Sequence, residues 1–416
     1  MILYGSKAYW KITLSLSAAS LFVFAMIYLT QPLLPTFTKE FSVSETWSSM
    51  TLSVVVFCIS ICLLIYGPLS DAVGRKPIMV GTIFGSVACM LLISLTNHFW
   101  TLLVLRGLQG IFLAGVPSVT MAYMSEELEP KALGSALGMY IGGNTLGGMV
   151  GRILGGAFSD LWGWRVAFLV IGIGSLLFLV AFAFILPKSE GFKPQPLRWK
   201  QGYQDMKRHV MDPKMSYAFA LGGINFAVFI GSFNYITFRL SEAPFNLPAS
   251  VLGLLFITYL GGTMGSIISG RLGGQHGKVR AILVGTGIFV IGLLGTMASS
   301  LWVIIGALAL QCFGFFFAHS ASTSWVNSNA AFARASAASL YLCSYYMGGS
   351  LGGIYLGWFW GWLGWPGVVA GALIALAISV SLAIQLRKKE RIMLRAHEGA
   401  AGNKAELPLK HLERRG

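Results

Sequence analysis

The side chains able to do chemistry are few, and most of them interrupt long apolar runs. Arg106 and Gln109 stand three residues apart in FWTLLVLRGLQGIFLAG, a spacing that puts both on one face of a helix. Arg152 breaks a second, glycine-rich run. A guanidinium about six residues, or about 9 Å, inside an apolar helix cannot face lipid and needs acceptors. The first run supplies some. Pro32 and Pro35 cannot donate to the carbonyls of Tyr28 and Gln31, four residues earlier. Arg106 either satisfies those carbonyls or serves substrate or proton transfer. His319 is the one histidine of six inside an apolar run, and imidazole titrates near neutrality. Tyr28, Gln31, Asn144, Asn225, Asn234, Tyr235, Gln311, Tyr345 and Tyr346 complete the embedded polar set, each reading as a helix–helix hydrogen bond or as a substrate contact. No Asp or Glu falls in mid-run, one histidine cannot make a metal site, and no G-x-x-x-x-G-K-[ST] loop is present. The chemistry on offer is binding and charge pairing. The chain is not read as an enzyme, and no cofactor or metal is expected.

The elements that must hold these groups are membrane helices. Of 416 residues, 55% are hydrophobic and 11% charged, against about 25% charged in soluble domains, and the mean hydropathy is +0.71. With about 20 apolar residues needed per crossing, twelve spans are placed: 12–34, 46–66, 78–96, 99–123, 133–158, 165–186, 215–238, 249–270, 280–299, 301–325, 335–358 and 366–386. The expected fold is an all-α membrane protein of two six-helix pseudo-repeat bundles. They cover 1–186 and 215–386, joined by a linker at 187–214 and followed by a tail at 387–416. The net charge of +15 is topological: 25 of 30 Lys and Arg fall on one side of these spans, and only Lys39, Arg165 and Arg239 lie in the opposite loops. That asymmetry puts both termini and the linker in the cytoplasm and favours anionic lipid over nucleic acid. Lys7 and Lys11 precede a run with no small-residue cleavage site, so it is retained as the first span. The five cysteines lie in apolar runs and read as packing residues.

The halves repeat. Gly143 to Gly148 corresponds to Gly348 to Gly353 at a spacing of 205, Gly163-Trp164 to Gly364-Trp365 at 201, and Gly67–Gly74 to Gly270–Gly277 at 203. Parallel repeats around a midplane cavity suit a transporter.

Gly67-Pro68-Leu69-Ser70-Asp71-Ala72-Val73-Gly74-Arg75-Lys76-Pro77 is the first strongly charged interruption and is read as a tight loop, with Gly67 and Gly74 allowing positive φ. It resembles the G-x-L-x-D-x-x-G-R-K loop of the major facilitator superfamily, and every fixed position is filled. The resemblance implies that Asp71 and Arg75 belong to the charge cluster that latches the halves, with Glu126 and Glu127 offering carboxylates to Arg75. The second copy has Gly274 in place of Asp71, so the latch is expected to be one-sided. Arg106 to Gly110 resembles the family's R-x-x-Q-G motif. The fifth span resembles its exporter motif G-x-x-x-G-P-x-x-G-G through Gly138, Gly142, Gly147 and Gly148, although Gly143 takes the proline position.

The resemblance covers essentially the whole chain and lies towards the drug:proton and sugar-efflux antiporter branch. It implies a monomeric, proton-coupled exporter of a small molecule in a bacterial inner membrane. An uptake symporter for a small, possibly anionic metabolite is the alternative, and a channel remains formally open. Arg106 and Arg152 come at similar depth on adjacent spans. Either an anion binds between them, or Arg106 takes the freed carbonyls while Arg152 reaches Asp160 or snorkels.

Overall fold

The computed structural model describes residues 1–189, 191, 192, 194 and 199–406; for 199–201, 273–276 and 390–406 only the backbone course is used. The elements are α1 (Lys7–Tyr28), α2 (Leu34–Phe41), α3 (Glu45–Val73), α4 (Arg75–Ser94), α5 (Phe99–Leu113), α6 (Gly115–Glu127), α7 (Pro130–Trp162), α8 (Trp164–Ile185), α9 (Trp199–Met211), α10 (Pro213–Ser241), α11 (Ala249–Leu254), α12 (Tyr259–His276), α13 (Lys278–Gly295), α14 (Leu301–Asn329) and α15 (Arg334–Glu406).

Ten segments are long and apolar enough to cross a membrane. One of them, α15, turns at Gly364 (φ 58°, ψ −137°) into two crossings. The 33 residues of α7 reach about 50 Å, so ten plus one plus one gives twelve crossings among the described residues. Exposed Trp47, Trp100, Trp162, Trp302, Trp358 and Trp362 all sit near the same face, as an aromatic belt does at a membrane–water boundary. This is called the far face. The other, where Gly74 and α9 lie, is called the basic face.

Several spans differ from the uniform rods predicted. The first runs Lys7–Phe41 but breaks after Tyr28 into a 3-10 turn at Gln31–Leu33, where Pro32 and Pro35 remove two donors. The fourth breaks at Ala114 between α5 and α6, because Pro117 cannot donate to Leu113. The eighth is α11, a 3-10 turn at Leu255–Thr258, then α12. There the Thr258 hydroxyl donates to the Leu255 carbonyl and competes with the regular ladder. The predicted linker contains a helix, α9; Pro196 and the outermost tail, 407–416, lie outside the described residues.

The Gly67–Pro77 stretch is a helix rather than a loop. α3 continues through Pro68 to Val73, and only Gly74 (φ 110°, ψ 151°) separates it from α4. Pro68 removes one donor without ending the helix, as membrane helices tolerate. Gly67 is helical, with no atom within 4 Å of where a Cβ would stand, so it needs no positive φ here.

Single-residue joints recur at Gly163, Gly277 and Gly364, all with positive φ, in a conformation that Gly adopts at little cost. The duplication is thus visible in the backbone. It is also visible in packing. α7 lies so close on α1 that a Cβ on Gly143, Gly147 or Gly151 would come within 3.0 Å of the Ser17, Leu21 and Ala25 carbonyls. In the second half, Gly348 and Gly352 of α15 meet the carbonyls of Gly223 and Ala227 on α10 in the same way. The glycines are 205 apart and their partners 206.

Candidate functional site

The two halves are joined near the far face. One hydrophobic core runs through both halves, whereas around Met215, Phe219, Ile282, Trp325 and Tyr341, towards the basic face, the second half has a separate core of its own. Between α12 and α14 on that side lies a cavity of about 720 Å³, lined by Ser266, His319, Thr323, Asn327 and Arg334 among others. Among the described residues the hydrogen bonds between the halves lie towards the far face, while this cavity is lined by the second half alone.

The closure is polar and centred on Arg152. Its Nε donates to Gln31 Oε1 at 2.8 Å, Nη1 to the Gly148 carbonyl at 2.8 Å and Nη2 to the Tyr259 hydroxyl at 3.4 Å. The guanidinium lies 4.0 Å from the ring centre of Tyr28, 4.3 Å from Phe256 and 4.8 Å from Tyr259. Gln31 Nε2 donates across the interface to Asn234 Oδ1 at 2.8 Å, and Asn234 Nδ2 donates back to Ser49 Oγ at 2.9 Å. The Tyr235 hydroxyl donates to the Gly353 carbonyl at 2.8 Å and reaches Thr46 at 3.5 Å.

Backbones of the two halves also meet here, beside a far-face cavity of about 590 Å³ lined by Pro35, Glu40, Asp160, Asn246 and Pro248 among others. A Cβ on Gly156 would strike Ala249, one on Gly253 would strike Arg152's carbonyl, and one on Gly353 would strike Ser49 and Ser53. Asp160 accepts from the amides of Ala249 at 3.2 Å and Ser250 at 2.7 Å. A carboxylate of the first half thus caps a helix of the second, where four amides lack intrahelical partners. This corrects the expectation for Arg152. It neither reaches Asp160 nor snorkels, being 1% exposed, because Asp160 is already committed to α11.

Arg106 belongs wholly to the first half. Nε donates to Thr51 O at 3.0 Å; Nη1 donates to Met26 O at 2.9 Å and Gln109 Oε1 at 2.6 Å; Nη2 donates to Ile27 O at 2.7 Å and Thr30 Oγ1 at 3.4 Å. All five guanidinium N–H groups have acceptors. The carbonyls are those of Met26 and Ile27 rather than Tyr28 and Gln31, because the passage from α1 into the 3-10 turn releases acceptors a residue or two upstream of those facing the prolines. Gln109 is held by Ser86 O and Met90 Sδ. All of its donors are thus committed to groups of the first half.

At the basic face Arg75 joins Asp71 at 2.6 Å and Glu126 at 2.7 Å, and donates to Ser70 Oγ at 2.5 Å. Glu127 instead accepts from Ser189 Oγ at 2.5 Å and Gly191 N at 3.0 Å, tying α6 to the start of the linker. Asp71 is 46% exposed along its side chain and Arg75 is its ion-pair partner.

His319 heads the open cavity. Its Nδ1 lies 3.0 Å from the Tyr341 hydroxyl, and its ring 4.5 Å from that of Tyr345, itself stacked on Phe226 at 3.7 Å. Tyr346 meets Tyr345 edge-on at 5.3 Å. Asn144 bonds Ser20 on α1, Asn225 accepts from Ser379 at 2.7 Å, and Gln311 donates to Ser232 at 2.6 Å. The structure therefore gathers Tyr28, Gln31, Arg152, Asn234 and Tyr235 at the far-face closure. His319 lies towards the basic face, and Tyr345 stands between it and the Phe226–Phe229–Tyr259 rings. Sequence reasoning missed Tyr259, Phe256, Ser49 and Thr46. The break at Leu255–Thr258 was the one signal for Phe256 and Tyr259; Ser49 and Thr46, in continuous α3, look like ordinary helix surface.

The family model for the Major Facilitator Superfamily matches residues 16–242. The inner membrane transport protein YnfM of Escherichia coli K12 is 39% identical over 388 residues, 93% of each chain. The multidrug resistance protein MdtG of Proteus mirabilis is 26% identical, over 67% of this chain and 71% of that one. A bacterial homologue of the human lysosomal transporter Spinster, solved in an inward-facing, occupied conformation, superposes with a TM-score of 0.73 at 15% identity, over 92% and 98% of the two chains. Fold and interface define a multi-pass membrane transporter built of two related halves. The chain belongs to the major facilitator superfamily.

Proposed function

We propose that the protein is a secondary active transporter that exports a small molecule from the bacterial cytoplasm in exchange for protons. The observation that supports this reading is the interface itself, hydrogen-bonded between the halves at the far face around one polar cluster and without such bonds among the described residues towards the basic face. Such an interface is one half of an alternating-access cycle. Cytoplasmic orientation of the basic face and both termini rests on the 25 of 30 Lys and Arg gathered there. Export is supported by the glycine pattern of α7, and a multidrug resistance protein is among the relatives. His319, open to the cavity and held by Tyr341, is the proposed proton site.

Counterflow in proteoliposomes tests the carrier: labelled compound should accumulate transiently only when unlabelled compound is trapped on the other side. Passage without that stimulation would mean a channel. For direction, energised everted vesicles should concentrate the compound and intact cells should lose it. The reverse would select the uptake symporter.

A further inference from the structure

Two guanidiniums are enclosed within the spans, and among the described residues the ion pairs involve Arg75 and Arg165, not these two. An enclosed cation without a counter-charge is costly. Arg106 offsets part of that cost with five hydrogen bonds. Arg152 makes three, the third at a long 3.4 Å, so two of its five N–H groups have no oxygen acceptor. Their surroundings are the rings of Tyr28, Phe256 and Tyr259. Beside them stands Gly148, where a Cβ would be 3.1 Å from Nη1 and 3.5 Å from the Tyr28 ring. The missing side chain lets the edge of the guanidinium lie against the bare backbone of α7.

We infer that the carried molecule is an organic anion whose carboxylate or phosphonate is taken by Nη1 and Nη2 of Arg152, with its apolar body against Tyr28, Phe256 and Tyr259. The inference rests on the transporter reading and names its substrate class. A planar fork suits such groups in bidentate fashion, and the rings supply apolar area on either side. The same residue touches the gate. Arg152 holds Gln31, Gln31 holds Asn234 across the interface, and Asn234 holds Ser49. An anion that draws the fork away from Gln31 loosens the bonds closing the far face, so loading and opening act through one side chain.

The test uses the purified full-length chain and matched aromatic probes: benzoate, phenylacetate, phthalate and phenylphosphonate, the neutral amides benzamide and phenylacetamide, and the cations benzylamine and phenethylamine. At least one anion should raise the melting temperature while its amide and amine do not. Arg152→Gln should weaken that anion's binding at least about thirty-fold, the scale for removing one partner of a buried charge pair. Arg152→Lys, a charge without a fork, should fall between. Should Arg152→Gln fail to fold, Gly148→Ala crowds Nη1 with the charge retained and should likewise weaken the anion.

Equal stabilisation by amides or amines, survival of the anion effect in these variants, or no effect from any anion overturns the inference. Counterflow with the same probes separates the two readings. Amine exchange indifferent to Arg152 leaves the carrier and removes the anion site. An anion that binds through Arg152 without exchanging leaves the site and removes the carrier.

Discussion

Arg106 and Arg152 carry the same charge in similarly apolar surroundings, yet they do different work because of what lies within reach. Arg106 spends all its donors on three segments of one half, α3, α5 and the end of α1 with the turn that follows, and so acts as an internal brace. Arg106→Lys keeps the charge but offers three donors in place of five. It should lower stability in detergent by at least about 2 kcal/mol, the cost of leaving a buried acceptor or two unmet, while any ligand that still binds does so with unchanged affinity. A melting curve with and without ligand checks both parts. That Arg106 must face the bundle was legible from an arginine in an apolar run, and so was the first span as its source of acceptors. Which carbonyls it takes was not, because that depends on where the helix changes pitch. The Gln31–Asn234 bond joins residues 203 apart and exists only once the halves dock, so no local pattern announces it.

At the level of helices, the glycine pattern of α7 separates into two faces. Gly143, Gly147 and Gly151 lie against carbonyls of α1, whereas Gly134, Gly138 and Gly142 have nothing within 4 Å of a built Cβ. Gly147→Ala should therefore force the crossing apart and yield little folded protein. Gly138→Ala should leave stability unchanged or raise it by up to about 1 kcal/mol, the difference in helix propensity. Expression and melting temperature of the two variants, side by side, decide this; equal behaviour would mean that the crossing is not what the glycines serve. The number of spans and their duplication were readable because both rest on periodic, local features: length of apolar run, spacing of small residues, Gly at the joints. The interruptions near Ala114 and Leu255 were not read, although Pro117 causes the first; near Tyr28 the carbonyls freed by Pro32 and Pro35 were read but not the 3-10 turn. Hydropathy averages across a break that costs one or two hydrogen bonds.

For the molecule as a whole, the two faces close by different means. The far face uses Arg152 with neutral amides and hydroxyls from both halves, plus the Asp160 cap on α11. The basic face holds the Asp71–Arg75–Glu126 cluster, which in this open arrangement stays within the first half. If Asp71 is released from solvent to cap a helix of the second half when that face shuts, removing its charge should favour the arrangement seen here. Asp71→Asn should then lower alkylation of a cysteine placed at the buried far-face position Ser53, and Asn234→Ala should raise it, having lost Gln31 and Ser49 together. Movement in the same direction for both would refute the two-gate account. Orientation has its own check: an impermeant reagent applied to intact cells should label Ser44→Cys, at the start of α3, and miss Gly202→Cys in α9.

The single-glycine joints at residues 74, 163, 277 and 364 have a bearing on where the work of the cycle is done. Each yokes two successive crossings with no spare chain, so eight of the twelve behave as four stiff elbows, while the remaining crossings connect through longer segments. An elbow of that kind has almost no freedom to slide one arm past the other. Opening and closing then amount to tilting intact elbows against one another, with little backbone to rebuild. The height of the barrier is set mostly by what the arms touch. On this view turnover is a property of a handful of side-chain bonds between residues 31, 49, 152 and 234, and lengthening any one joint by a few residues would slacken the machine without altering a single contact in its binding site.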